Sequence, residues 1–142
     1  MRKLIASLAM GLGVSLASVA GAAPADADAV PKAQQVAQGW LQLTDSSQYA
    51  ASWDQAANPF RAAISKTDWE RAIGLARTPL GALEKRELIS ANYTDHLPGA
   101  PDGQYVVIQF SSRFANKKSA IETITPMKDA DGQWKVAGYF IK

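Results

Sequence analysis

The pattern of apolar residues changes once along this chain, at Thr78-Pro79-Leu80-Gly81, and that change limits the fold. Before it, apolar side chains recur at spacings of three and four. Val36, Ala37, Trp40, Leu41 and Leu43 or Thr44 form one such run, Tyr49 and Trp53 a second, and Trp69, Ala72, Ile73 and Ala76 a third. That spacing puts each run on one side of an α-helix. After Gly81 the chain consists of β-branched and aromatic segments separated by turn residues, with no helical period up to Lys142. Four strands are expected, at about Glu84–Asp95, Gln104–Phe114, Ser119–Met127 and Gln133–Ile141. Three helices followed by an antiparallel meander imply an α+β domain, in which a curved four-stranded sheet wraps the helices like a cone.

Local signals place the boundaries. Pro31 suits a first helical turn. Asp45-Ser46-Ser47 supplies capping residues before the second helix, and Asn58-Pro59 ends it. Thr67-Asp68-Trp69-Glu70 reads as a capping box that starts the third helix, which Pro79 and Gly81 stop. Along the second strand Val106, Ile108, Phe110 and Phe114 share one face, and Tyr105, Gln109, Ser111 and Arg113 the other. This alternation marks a sheet covered on one side.

The N-terminus reads as an export signal. Met1-Arg2-Lys3 precedes a run from Leu4 to Ala20 without a charge, and Ala20-Gly21-Ala22 offers small residues for cleavage. The expected organisation is a signal peptide over 1–22, a flexible linker over 23–30 and a single domain over 31–142, periplasmic or secreted, with no stable membrane anchor after cleavage. The full chain carries 15 basic and 13 acidic residues, and losing Arg2 and Lys3 leaves the remainder formally neutral. No basic surplus is left to neutralise phosphates, so a nucleic-acid partner is not expected. With one His and no Cys, neither a transition-metal site nor a disulfide is expected, and no cofactor is implied.

Several motifs together carry a family resemblance. They are Trp53 with Phe60, Trp69, Arg77-Thr78-Pro79-Leu80-Gly81, Leu97-Pro98-Gly99-Ala100-Pro101-Asp102-Gly103, Glu122-Thr123-Ile124-Thr125-Pro126 and Asp131-Gly132-Gln133-Trp134-Lys135-Val136. In these the chain resembles the domain of unknown function 4019 family of exported bacterial proteins. The arrangement of helices in a bent meander also resembles the cone fold of nuclear transport factor two-like and cystatin-like proteins. The resemblance implies export and this general fold, and supplies no activity and no catalytic residue.

Candidate chemistry is sparse. Asp95-His96 is the one adjacent carboxylate and imidazole, but strand neighbours point to opposite sides and so serve one proton poorly. Asp129-x-Asp131-Gly132 resembles the start of a calcium loop yet lacks the terminal Glu, and a hairpin turn accounts for it. Asn92-Tyr93-Thr94 fits the glycosylation pattern but lies within an expected strand. Tryptophans 40, 53, 69 and 134 either form a core or line a ligand pocket. Arg77 and Glu122 are full charges in apolar segments, which predicts an internal ion pair that fixes structure or holds a polar ligand group. The candidate ligand-binding residues are therefore Trp53, Trp69, Arg77 and Glu122, with no catalytic residue and no metal ligand. The expected function is a non-enzymatic exported domain that binds a small ligand or a protein partner and that can pair as a homodimer through the outer sheet face. The alternative is a small cofactor-free lyase, isomerase or hydrolase in which His96 or a pocket carboxylate moves a proton.

Overall fold

The computed structural model describes residues 27–142. The expected signal peptide and the first part of the linker lie outside the described residues. Helix α1 spans Ala29–Asp45, with Ala33, Ala37, Trp40, Leu41 and Thr44 on its buried stripe. It begins two residues ahead of Pro31, which occupies its first turn as expected. Asp45-Ser46-Ser47 does not cap a following helix but closes α1. Ser47 takes the left-handed conformation at φ 60°, the Gln48 N–H bonds the Leu43 carbonyl at 2.8 Å, and the Ser47 N–H bonds that of Thr44 at 3.2 Å. This is a Schellman closure with serine where glycine is usual.

Among the described residues there are four α-helices rather than the expected three. After α2 (Tyr49–Asp54), Asn58-Pro59 stops nothing and instead opens α3 (Asn58–Ala63), because proline needs no N–H partner in a first turn. The Ala57 N–H, just ahead of α3, bonds the Val136 carbonyl at 2.8 Å and ties this corner to the sheet. Helix α4 spans Lys66–Arg77 and is capped by Ser65, whose hydroxyl accepts the Asp68 N–H at 3.1 Å. Thr67 and Glu70 thus lie inside the helix, and the capping box assigned to them is corrected to a Ser65 cap. A 3-10 turn, Thr78–Leu80, ends at Gly81, where φ is 75° and an added Cβ would meet Ala115 and Asn116 at 3.1 Å.

Strands β1 (Leu83–Thr94), β2 (Tyr105–Phe114), β3 (Lys117–Lys128) and β4 (Trp134–Ile141) pair antiparallel in the order β1-β2-β3-β4. Bulges interrupt β1 between Leu88 and Ser90 and the β3–β4 ladder between Thr125 and Pro126. The covered face presents Val106, Ile108, Phe110, Phe114, Ala120, Ile124 and Val136 to the helices, and all are buried. Tyr105 departs from the expected alternation. It is buried, because the segment between β1 and β2 folds back over it and its hydroxyl donates to the Pro101 carbonyl at 2.6 Å. Trp40 centres an aromatic cluster, with ring centroids of Trp69 at 5.8 Å, Tyr139 at 5.4 Å and Phe60 at 6.4 Å.

Candidate functional site

Two features meet at Tyr139: a buried cluster of charges and an apolar cleft. The charges come from element ends and strand centres. Asp45 is the last residue of α1, Arg77 the last of α4, Arg86 lies in β1, Ser112 in β2, Glu122 in β3 and Tyr139 in β4. Sheet register assembles them, since Arg86 pairs opposite Ser112 and Phe110 opposite Glu122. Asp45 at a helix C-terminus opposes the helix dipole, and two guanidinium groups offset this.

Arg86 clasps both carboxylates. Its Nε donates to Glu122 Oε1 at 2.8 Å, and its two terminal nitrogens donate to Asp45 at 2.7 and 2.9 Å. Arg77 donates to Asp45 at 2.7 Å and to the Thr44 hydroxyl at 3.0 Å, while its guanidinium carbon lies 4.8 Å from the Phe114 ring centroid. Glu122, with no exposed surface, also accepts from the hydroxyls of Ser112 and Tyr139. Two positive and two negative charges thus close on one another. Burial pushes the Asp45 carboxyl up, but the hydrogen bonds from Arg86 and Arg77 outweigh it and hold it below its ordinary value. For Arg77 and Arg86, burial works against the charge and the carboxylates overcome it, so both cations are held more firmly. Burial, with Glu122 beside it, pushes the Tyr139 phenol far up, so this hydroxyl keeps its proton.

Arg77 and Glu122 therefore meet inside the domain, at 3.9 Å, as their placement in apolar segments predicts. Each has a nearer partner that sequence reasoning missed. Arg86 sits in the charged run Glu84-Lys85-Arg86-Glu87, and Asp45 among the residues read as helix caps. Only strand register distinguishes Arg86 from its exposed neighbours.

The cleft, about 430 Å³, opens beside the cluster. Phe60 of α3 and Ile64 just past its end, Trp69 of α4, Pro101, Asp102, Tyr105, Met127 and Tyr139 are among the residues that line it. Its indole and phenol groups are committed: Trp69 Nε1 donates to the Ser52 hydroxyl at 2.9 Å, Tyr105 to Pro101, and Tyr139 to Glu122, while Asp102 stands exposed at the mouth. Of the four candidate ligand-binding residues Trp69 alone borders this cleft. Trp53 packs outside it, its Nε1 bonding the Ile64 carbonyl at 2.8 Å and its ring facing Lys66 and Arg61 at 5.4 and 5.8 Å. Arg77 instead borders a separate polar hollow with Asp45 and Ser47, and Glu122 lies beneath the surface.

The remaining motifs resolve as structure. His96 pairs not with Asp95 but with Asp102, 2.7 Å away across the exposed loop, and that hydrogen bond raises the imidazole above its ordinary value. Asp129 accepts the N–H groups of Asn58 and Ala130, and Asp131 those of Gln133 and the Lys135 ammonium. Among the described residues no cluster of three or more metal-ligating side chains forms.

Comparison with known proteins gives no matching curated protein and no matching solved structure, so the likeness to nuclear transport factor two-like cones rests on element order alone. The profile of one family, described as "Protein of unknown function (DUF4019)", matches residues 36–139. That span runs from the middle of α1 into β4 and holds the charge cluster and the residues that line the cleft, and the chain belongs to this DUF4019 family.

Proposed function

We propose that this is a non-enzymatic binding domain that works outside the cytoplasm and takes an apolar group, from a small ligand or a partner protein, into the cleft beside Tyr139. One observation carries the reading. The indole N–H and both phenol hydroxyls around the cleft are spent on protein acceptors, so apart from Asp102 at the mouth the side chains described around it offer mainly apolar surface. Glu122 lies just behind, yet its oxygens hold Arg86, Ser112 and Tyr139 in place rather than facing the cleft. The arrangement that favours an enzyme is the His96–Asp102 pair at the rim, but both side chains are exposed to water. A general base needs a positioned substrate proton, and these two side chains, 72% and 82% exposed, stand in solvent at the mouth of the cleft.

The test is titration of the mature domain with the neutral fluorophore N-phenyl-1-naphthylamine. Saturable enhancement with one site is expected. Ala63→Trp, at the exposed rim of the cleft, should abolish it while leaving the melting temperature unchanged. Non-saturable enhancement, or wild-type binding by the Ala63→Trp protein, would overturn the assignment of the cleft. Export is tested separately by the mass of the protein recovered outside the cytoplasm, which should lack residues through about Ala22.

A further inference from the structure

The two edges of the sheet are not alike. β1 carries the charged run Glu84-Lys85-Arg86-Glu87, whereas β4 has neither a charge nor a proline from Val136 to Ile141. Charges and prolines guard an edge against pairing with another chain, and this stretch lacks both. The start of β4 is covered, since the Ala57 N–H takes the Val136 carbonyl at 2.8 Å. Beyond it the ladder with β3 fixes which backbone groups are left over. Lys142 and Ile121 exchange both hydrogen bonds at 3.0 Å, and bonded and non-bonded pairs alternate from there. Phe140 and Gly138 therefore bond β3. The N–H and C=O groups of Tyr139 and Ile141 point away from it and meet no partner among the described residues.

Apolar space lies beside those groups. Helix α4 packs chiefly on α2, and between it and β4 is a hollow of about 240 Å³, with Ala72, Ile73 and Ala76 on one bank and Tyr139, Phe140 and Ile141 on the other. The cleft borders Ala137, Gly138 and Tyr139, so the two spaces adjoin at Tyr139 and Trp69 and are centred two residues apart along one strand. Two residues of strand span about 7 Å, which is also the repeat of side chains on one face of a strand. Among the described lining residues the one charge is Asp102, at the mouth of the cleft. Its Oδ1 meets His96, and its Oδ2 has no partner among the described residues.

We propose that the open edge of β4 docks an extended peptide of the pattern apolar-x-apolar-x-basic, which adds to the sheet as a fifth, antiparallel strand. This rests on the cleft being a binding site and names what fills it. The first apolar side chain, opposite Ile141, enters the hollow; the second, opposite Tyr139, enters the cleft; and the basic one meets the carboxylate of Asp102 at the mouth. Main-chain hydrogen bonds to Tyr139 and Ile141 supply affinity, and the two spaces select alternate side chains. A second copy of this chain fits less well. Its β4 offers the same backbone groups, but its Tyr139 is held inward by its own Glu122 and cannot enter the hollow.

Calorimetric titration of the mature domain with a capped hexapeptide, threonine-leucine-threonine-leucine-threonine-lysine, tests the proposal. One peptide should bind per domain and displace N-phenyl-1-naphthylamine. The leucine N–H groups face β4 in this pairing, so N-methylation of both leucines should weaken binding at least about tenfold, whereas N-methylation of the threonines should leave it unchanged. Ile141→Pro removes an N–H that points off the edge and spares the ladder with β3, and should weaken the peptide about tenfold. Ala76→Arg, which puts a charge into the hollow, should do the same and carries the test if Ile141→Pro fails to fold. Equal losses from either methylation pattern, or unchanged affinity in both variants, would overturn the strand addition. A domain that takes the fluorophore but not the peptide would overturn it and leave the cleft assignment standing, whereas binding of neither would remove both. A dimer in sedimentation that Ile141→Pro abolishes would give the edge to a second copy and end the proposal.

Discussion

Glu122→Ala is the most informative single substitution in this domain. It removes one carboxylate and strands three donors at once: Arg86 Nε, the Ser112 hydroxyl and the Tyr139 hydroxyl. Deleting one partner of a buried ion pair costs about 3–5 kcal/mol, because the opposite charge remains desolvated without compensation. Set against the roughly 5–15 kcal/mol that holds a typical domain together, such a loss takes a large share of the stability. Geometry also predicts how the loss divides. Arg86 makes a direct bond to Glu122 at 2.8 Å, whereas Arg77 approaches it only to 3.9 Å and spends its hydrogen bonds on Asp45 and Thr44. In double-mutant cycles the Arg86–Glu122 coupling should reach about 2–3 kcal/mol and the Arg77–Glu122 coupling about 0.5 kcal/mol. Urea unfolding followed by tryptophan fluorescence supplies each corner of the cycles. A loss below about 1 kcal/mol for Glu122→Ala would place the cluster among surface pairs and refute the argument. An Arg77 coupling equal to that of Arg86 would refute its geometric part.

Ser47→Gly should stabilise the domain by about 0.5–1 kcal/mol, since the left-handed closure of α1 suits glycine, and a lower urea midpoint would contradict this. Asp45 has a folded-state pKa below its ordinary 3.8, so its contribution is complete above that value and is lost as the pH falls through it towards the folded one. Urea midpoints measured from about pH 5 down to 2 should therefore drop, and Asp45→Asn should flatten the dependence. His96, raised by Asp102, should titrate by nuclear magnetic resonance with a midpoint above 6.5, and Asp102→Asn should return it towards that value. A wild-type midpoint at or below 6.5 would mean the pair does not persist in solution.

What the sequence makes legible here is whatever depends on a residue and its near neighbours. The strands emerge within a few residues of their expected limits because β2 alternates so cleanly, and Arg77 and Glu122 stand out because each interrupts an apolar run. The partners are hidden because they depend on pairing across the sheet. Arg86 and Lys85 are adjacent in one charged run, yet of the two Arg86 reaches Asp45 and Glu122, while Lys85 is exposed and meets Glu87. Asn58-Pro59 misleads for a different reason: proline both stops one helix and starts another, and local chemistry does not choose between them. Trp53 and Trp69 look alike on their stripes, but the cleft lies on the side of α3 and α4 that only tertiary packing defines.

Because Arg86 sits on β1, an edge strand, its inward reach has a consequence for misfolding. Edge strands are prone to slip in register or to recruit a strand from another molecule. Sliding β1 by one residue against β2 would turn Arg86 outwards and bring Lys85 or Glu87 to the covered face, in conflict with the fixed positions of Asp45 and Glu122. The wrong alignment thereby strips Glu122 of its direct guanidinium bond and leaves Asp45 to Arg77 alone. A foreign strand that displaced β1 would have to bring its own guanidinium to the same spot, so the clasp that ties this strand to α1 also discriminates against substitutes for it.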